Sequence, residues 1–345
     1  MTRTVDVKFL VLRGGAVFTE LNAVNTPTLR MDNKGELKVS LSGEFVEDKS
    51  IDWLNDEVQP ILMIDGEETP LGVFLPATVK HAENETTRSV HIELYDRTWL
   101  VRDSVTESRV YFPAGTSYIN AIKQLLLQAN ITLVQAEPIS AVLTEAREDW
   151  DIGTSLLTII NQLLSEINYN PLWFNSSGLA ILEPATVPTA ENIDHTLNGS
   201  DIRSLIVPEV SSEMDIYNAP NVFVCTCSNP DKTAAYRVTV ENTNPQSPLS
   251  IPRRGRRIVR VERVNNIYSL EGLKNYAKRL RNESMMAAEV IQIETALHPG
   301  FEVYDVTAIN YKDIFGICAE TGWTMELVTG GRMTHTLERV VYAFE

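Results

Sequence analysis

The chain of 345 residues carries a formal net charge of −16, and its 43% hydrophobic and 22% charged content is that of a folded globular protein. This length predicts two to four domains. The acidic balance disfavours free binding to a nucleic-acid backbone, because phosphate contacts need clustered cations. The N-terminal apolar run is short and interrupted by a charge, so we expect neither a signal peptide nor membrane insertion, and we expect synthesis and folding in the cytoplasm.

The first part of the chain, residues 1–110, is predicted to form a β-barrel or β-sandwich. Short segments of alternating or β-branched residues are separated by polar turn signals such as Asp65-Gly66-Glu67. Almost no helical periodicity occurs here, and strands at this spacing are typical of barrels and sandwiches. The predicted strands cover residues 5–12, 36–42, 61–64, 71–75 and 89–94.

The pattern changes in the middle of the chain, and residues 111–204 are predicted to form a small α/β domain. Gly115-Thr116 and Gly153-Thr154 each precede a run in which apolar residues recur at spacings of three and four. The two predicted helices present Ile119, Ile122, Leu125, Leu126 and Ala129, and Leu156, Ile159, Ile160, Leu163, Leu164 and Ile167. A strand pair at 171–174 and 179–182 follows them.

The last part, residues 205–345, again alternates like strands and contains one amphipathic helix, predicted at about 269–288. Leu270, Leu273, Ala277 and Leu280 share one side of that helix. We therefore expect a second β-barrel or sandwich with one inserted helix. The predicted fold class is α+β, mainly β, with two β domains and a small α/β domain between them.

Candidate catalytic groups are few, and the sequence predicts neither an enzyme nor a metal or cofactor site. Glu145, Glu148, Asp149 and Asp151 precede the second helix, where capping and the helix dipole explain acids. The five histidines are scattered, and none has metal-ligand spacing. His298 as a base paired with Asp305 is a possible alternative to a Pro-Gly turn, which the sequence favours. Cys225 and Cys227 are predicted to face one side of a buried strand.

A basic run is the clearest local departure from the acidic composition. We interpret it as a strand that places Arg256, Ile258 and Arg260 on one face and Val259 and Val261 on the other. A subunit interface, a solvated face and a nucleic-acid contact are the alternatives, and we favour the interface because cations suit acidic partners. The candidate interface residues are Arg253, Arg254, Arg256, Arg257, Arg260 and Arg263.

The order of several segments resembles the baseplate hub (tail tip hub) proteins of tailed phages and of phage-derived contractile particles such as tailocins and defective prophages. The resemblance covers about residues 70–345 and is most specific in the middle third. The segments that carry it are PLGVFLP, ELYDRTWLVRDSV, YFPAGTSYINAIKQLLLQANI, REDWDIGTSLLTIINQLLSEINYNPLWFNSSGLAILEP and ALHPGFEVYDVTAIN.

This resemblance implies a structural role in the tail of a virion or phage-like particle. Hubs of this kind are homotrimers in which each subunit carries two tail-tube-like barrels, so that three subunits form a pseudo-sixfold ring. The ring joins the tail tube to the central spike and encloses a channel for DNA or tube passage. The implied partners are the tail tube protein, the central spike protein, other baseplate proteins and the tape measure protein.

Two other functional classes are the alternatives, a wall hydrolase and a cell-wall or carbohydrate-binding module. The first would need an acidic dyad in one groove. The second would need exposed tryptophans along one face, whereas the sequence context of Trp53, Trp99, Trp150, Trp173 and Trp323 favours core packing for most of them.

Overall fold

The structure is a computed structural model, and it describes residues 3–83, 88–201, 205–214, 217–227, 235–264, 267, 269–286 and 289–339. The last two residues of the helix predicted at 269–288 and the end of the predicted second β domain lie outside the described residues. No helix in the described ranges is long and apolar enough to cross a membrane.

Strands dominate the described part of the chain. The strands are β1 Val5–Arg13, β2 Ala16–Leu21, β3 Thr28–Asp32, β4 Val39–Val46, β5 Glu57–Ile64, β6 Glu67–Pro70, β7 Phe74–Glu83, β8 Arg88–Asp96, β9 Val134–Ala136, β10 Trp173–Phe174, β11 Ala180–Leu182, β12 His195–Asn198, β13 Ile206–Met214, β14 Val222–Cys227, β15 Tyr236–Glu241, β16 Val259–Val264, β17 Glu289–Ala296, β18 Val306–Tyr311, β19 Ile314–Glu326 and β20 Arg332–Arg339. The helices are α1 Thr98–Asp103, α2 Tyr118–Gln128, α3 Leu156–Glu166, α4 Ile251–Arg254 and α5 Leu270–Met286.

Strands from both ends of the chain join in one sheet of 14 strands, whose main order is β13-β17-β20-β19-β3-β4-β8-β7-β5-β1-β2. The mainly-β, α+β class is therefore confirmed. The predicted barrels or sandwiches do not include a closed barrel among the described strands: most of these strands join in this one open sheet, and the others form two separate three-stranded sheets. Alternating strands predict a buried face, but they do not specify which strand pairs with which.

The two β-rich regions meet at β19, which is long enough to serve both. Its first half pairs with β18, and its second half pairs with β3, while β20 lies along its other edge. The change of partner occurs at a bulge between Glu320 and Gly322. A Cβ atom at Gly322 would lie 3.1 Å from the carbonyl oxygen of Met31. A glycine therefore permits the close approach of β3 at this point.

The interior of the large sheet is apolar and continuous across both regions. Phe45, Phe74 and Ile92 are fully buried, and Trp323 from β19 lies in the same core. The rings of Phe9 and Phe45 pack edge to face, with centroids 5.1 Å apart. Burial of this one face fixes the register of the strands.

The middle of the chain has a core of its own, built on α2 and α3. Both helices begin alike: Gly115 and Gly153 have φ of 84° and 87°, and a threonine hydroxyl follows that donates to the carbonyl three residues earlier. Every apolar position predicted on these two helices is buried. The predicted strand pair is observed as β10 and β11, and β9 adds a parallel strand to it.

A third unit differs in extent from the sequence prediction. β15, β14 and β16 form a separate three-stranded sheet, with α5 packed on one face, so the insertion contains strands as well as the helix. Its core includes Cys225 and Cys227, as expected for strand cysteines facing one side, together with Leu273. Leu270, predicted on the apolar side of the helix, is instead 54% exposed, because it lies at the first residue of α5.

Candidate interface

The candidate interface arginines do not lie on a single strand. Arg253 and Arg254 end the short helix α4, and Gly255 follows it with a left-handed φ of 63°. The Ser250 hydroxyl caps this helix by accepting from the Arg253 amide at 3.4 Å, and a proline in the first turn favours the helical start. The predicted strand therefore begins later, and only Arg260 and Arg263 lie on β16.

Two of these arginines fix a neighbouring loop of the same unit. The Arg254 guanidinium donates to the carbonyl oxygens of Ala219 at 2.7 Å and Tyr217 at 2.6 Å. Arg256 donates to the same Tyr217 carbonyl at 3.1 Å. Part of the basic run thus stabilises local structure.

The other arginines are arranged on the surface. Arg257 pairs with Glu241 at 2.5 Å, and Arg260 pairs with Glu262 at 2.7 Å. Among the described residues, no carboxylate pairs with Arg253 or Arg263, and both are exposed. Exposed pairs of this kind contribute little to folding, so these guanidinium groups remain accessible to a partner.

The apolar residues of β16 are exposed as well, a feature that alternation does not reveal. Val259 and Val261 are 52% and 58% exposed, and they lie in register with Val222 and Val224 on the face away from α5. β16 is an edge strand of its sheet. At this edge, exposed valines and guanidinium groups flank the unpaired backbone groups of β16.

Three of the five histidines converge inside the large sheet, although they are far apart in the sequence. His195 stacks on Phe301 with centroids 3.8 Å apart, and His298 and His335 pack around the same ring. Asp305 pairs with His195 at 2.8 Å, so the predicted alternative of His298 with Asp305 is not the pair that forms. In the sequence these three histidines and Asp305 lie beside predicted strands, but no regular spacing joins them, so their convergence was not predictable.

The electrostatics of this cluster are those of a packed interior. Burial lowers the pKa of His195, but the hydrogen bond and charge of Asp305, together with the charges of Glu320 and Asp194, outweigh burial, and the pKa of His195 is raised. Burial lowers the pKa of His298. His335, fully buried, lies 3.1 Å from Glu320 and 3.0 Å from the Thr295 hydroxyl. These contacts satisfy polar groups between strands.

The acids that precede α3 do not form a catalytic dyad. Arg147, buried between them, pairs with Glu166 at 2.8 Å and also with Asp149. Burial raises the pKa of Glu166, and Arg147 opposes that shift. Within the described ranges, no group of three or more His, Cys, Asp or Glu residues has the geometry of a metal site.

The tryptophans do not provide a stacking surface for a sugar. Trp150, Trp173 and Trp323 are each at most 6% exposed and belong to cores. Trp53 and Trp99 are half-buried. The core-packing expectation is confirmed for the first three.

No protein-family model and no curated protein matches the sequence. The fold, in contrast, is shared with solved structures over almost the whole chain. A tail protein from Neisseria meningitidis matches 97% of this chain and 97% of its own, with a TM-score of 0.71 at 13% identity. The chain therefore has the fold of a tail protein.

Two further solved structures extend this likeness. The 43 kDa tail protein of prophage MuSo2 from Shewanella oneidensis gives a TM-score of 0.69 at 10% identity, over 97% of this chain and 99% of that one. A component of the E. coli type VI secretion system, described as structurally similar to the T4 bacteriophage tail proteins gp27 and gp5, gives 0.56 at 11% identity over 97% and 78%. The phage tail fold expected from the sequence resemblance is confirmed.

Proposed function

We propose that this chain is a structural, non-enzymatic subunit of a phage-type baseplate hub. The observation that carries the proposal is the near-complete overlap with a tail protein, 97% of both chains at a TM-score of 0.71. The type VI secretion component supports the same role, since its described likeness is to tail proteins. The particle would be a virion tail or a phage-derived contractile assembly.

In this role three copies form a ring that joins the tail tube to the central spike and leaves a channel for DNA or tube passage. Closed rotational symmetry is the usual outcome for a homo-oligomer. The net charge of −16 supports a channel with an acidic wall, which repels the DNA phosphates so that DNA can slide through without binding. The tube protein, the spike protein, other baseplate proteins and the tape measure protein are the expected partners.

The exposed edge of the third unit is the proposed subunit contact. It combines the guanidinium groups of Arg253, Arg260 and Arg263 with the exposed Val259 and Val261. An acidic neighbouring copy complements these cations, and the valines add apolar area that water would otherwise cover.

The first test is the molar mass in solution, measured by light scattering on a sizing column. We expect a mass near three times 38.7 kDa. A monomer at all concentrations measured would contradict ring formation by this chain alone.

The contact itself is tested by the double variant Arg253→Glu/Arg263→Glu, which leaves the cleft lining and the arginines that bind the Tyr217 carbonyl unchanged. We expect a monomer with an unchanged circular dichroism spectrum, because both side chains are exposed and reversing their charge repels an acidic neighbour. The matched control is Arg109→Glu/Lys123→Glu, which makes the same charge change at exposed residues outside the third unit. A trimeric double variant, or a monomeric control, would refute this contact.

A further inference from the structure

A large cleft lies where the three units of the fold meet. Its volume is about 950 Å³, and its walls come from the large sheet, from α3 with the loop that follows it, and from α5. This volume is at the upper end of the range for ligand sites, about 300–1,000 Å³. Neither the interface edge nor the histidine cluster accounts for it.

The cleft collects buried polar atoms that the protein itself leaves unsatisfied. Within the described part of the chain, the Tyr304 hydroxyl and the Asn168 side-chain oxygen are buried and have no hydrogen-bond partner, and Arg279 Nε makes no hydrogen bond but lies 3.4 Å from the Glu283 carboxylate. All three residues line this one cleft. Buried polar groups are almost always paired in native proteins, so a ligand that offers hydrogen bonds to these atoms would be stabilised at this place.

The backbone supports the same conclusion. Tyr304 and Asn168 both adopt left-handed conformations, with φ of 69° and 58°. Asparagine tolerates this conformation, whereas it strains a tyrosine. Strained residues concentrate at binding and functional sites.

The charge of the lining points to an anionic occupant. Four cations line the cleft, Lys34, Arg260, Lys278 and Arg279, against two acids, Glu283 and Glu338. Lys34 pairs with Glu338, Arg260 with Glu262 at 2.7 Å, and Arg279 with Glu283 at 3.4 Å, while the Arg279 guanidinium also donates to the Ser165 hydroxyl oxygen at 3.2 Å. Among the described residues, no carboxylate pairs with Lys278, so the lining cations outnumber the acids by two. The cleft is therefore locally positive in a chain whose net charge is −16.

The donors and the acceptor together specify the ligand more closely. A carboxylate accepts hydrogen bonds from the Tyr304 hydroxyl and from Arg279 Nε, and Lys278 adds charge. The Asn168 oxygen requires a donor, which a backbone N–H supplies. An extended peptide that carries acidic side chains offers both groups at once.

We infer that this cleft binds an extended acidic segment of another protein of the assembly. The inference deepens the proposed function and rests on it for the source of the segment, but not for the chemistry of binding. Arg260 belongs both to the cleft lining and to the candidate interface residues. A segment bound in the cleft would therefore lie next to the proposed subunit contact.

Binding is measured by fluorescence anisotropy with a fluorescein-labelled octapeptide of alternating Glu and Ser, and with the same peptide carrying Gln for Glu. The intact chain is expected to bind the Glu peptide at least tenfold more tightly. Arg279→Gln is expected to remove this preference. Arg281→Gln, on the same helix but outside the cleft lining, is the matched control and is expected to keep it.

Two gentler variants separate ligand binding from folding. Tyr304→Phe removes only the hydroxyl, and Asn168→Gly removes the amide at a position where glycine suits the positive φ. Each is expected to weaken binding of the Glu peptide five- to tenfold while the melting temperature stays the same or rises. A merely structural role for these groups predicts a lower melting temperature with unchanged binding.

The outcomes separate this inference from the proposed function. Equal binding of the Glu and Gln peptides, or loss of preference in Arg281→Gln, would overturn the inference even if the protein is a trimer. Selective binding by a monomer would support the cleft while contradicting the ring. A trimer that Arg279→Gln dissociates would identify a second copy as the occupant and overturn the assignment to another protein.

Discussion

Arg147 offers a sharp test of how the middle unit is held together. The residue is only 2% exposed, and its guanidinium binds the Glu166 carboxylate at 2.8 Å. The Tyr118 hydroxyl donates to the same carboxylate at 2.9 Å, and the Trp150 ring lies 4.8 Å from the guanidinium carbon. Arg147→Met keeps much of the side-chain volume but leaves Glu166 buried without its cation.

The expected cost follows from that uncompensated charge. Breaking a buried ion pair from one side destabilises a protein by about 3–5 kcal/mol, which is a large part of a typical folding free energy of about 5–15 kcal/mol. The loss should shrink as the pH falls, because burial already raises the pKa of Glu166 and removal of Arg147 raises it further. The protonated carboxyl is neutral and no longer needs the cation.

Urea unfolding followed by tryptophan fluorescence measures this loss, at pH 7.5 and at pH 5. The matched variant is Arg147→Met/Glu166→Leu, which removes both charges. It should be more stable than Arg147→Met alone, since the two changes are coupled across one contact. A loss below about 1 kcal/mol for Arg147→Met, or strictly additive effects in the double variant, would refute the reasoning.

Two further predictions concern pH. Burial raises the pKa of Asp96 to about 6, above its value in the unfolded chain. The folded state therefore loses stability as the pH rises from 4 to 6, because the unfolded chain ionises this carboxyl more readily. Relative to the wild type, the free energy of unfolding of Asp96→Asn should therefore be about 1 kcal/mol larger at pH 7.5 than at pH 5, as measured by urea unfolding. A difference between the two proteins that does not depend on pH would contradict this. His195 also has a raised pKa, but in this case protonation stabilises the folded state. This contribution to stability is complete below the pKa of the unfolded chain and is lost as the pH rises through the pKa of the folded protein. The free energy of unfolding that His195→Asn loses relative to the wild type should be larger at pH 5.5 than at pH 8.5. An equal loss at both pH values would exclude the pair with Asp305 as the cause.

Local elements were predictable because their signals are local. The spacing of Ile119, Ile122 and Leu125 defines one face of a helix, and a glycine and a threonine mark its start. The same holds for α3 and for the hairpin of β10 and β11. The buried Cys225 and Cys227 followed from period-two alternation.

Long-range pairing was not predictable from these patterns. His195 and Asp305 are separated by 110 residues, and no spacing rule joins them. The exposure of Val259 and Val261 depends on β16 being an edge strand, whereas alternation alone describes either an edge or a central strand. The cleft requires side chains from three units, so it exists only in the folded chain.

The pairing of β3 with β19 has a consequence for synthesis. The two strands are about 290 residues apart, so the N-terminal half leaves the ribosome with β3 as a bare edge, and non-local closure of this kind is slow. Until β19 is made, the backbone groups of β3 can pair with any other nascent strand nearby. Translation of the complete chain, rather than local folding, therefore ends the period in which this protein is most vulnerable to aggregation.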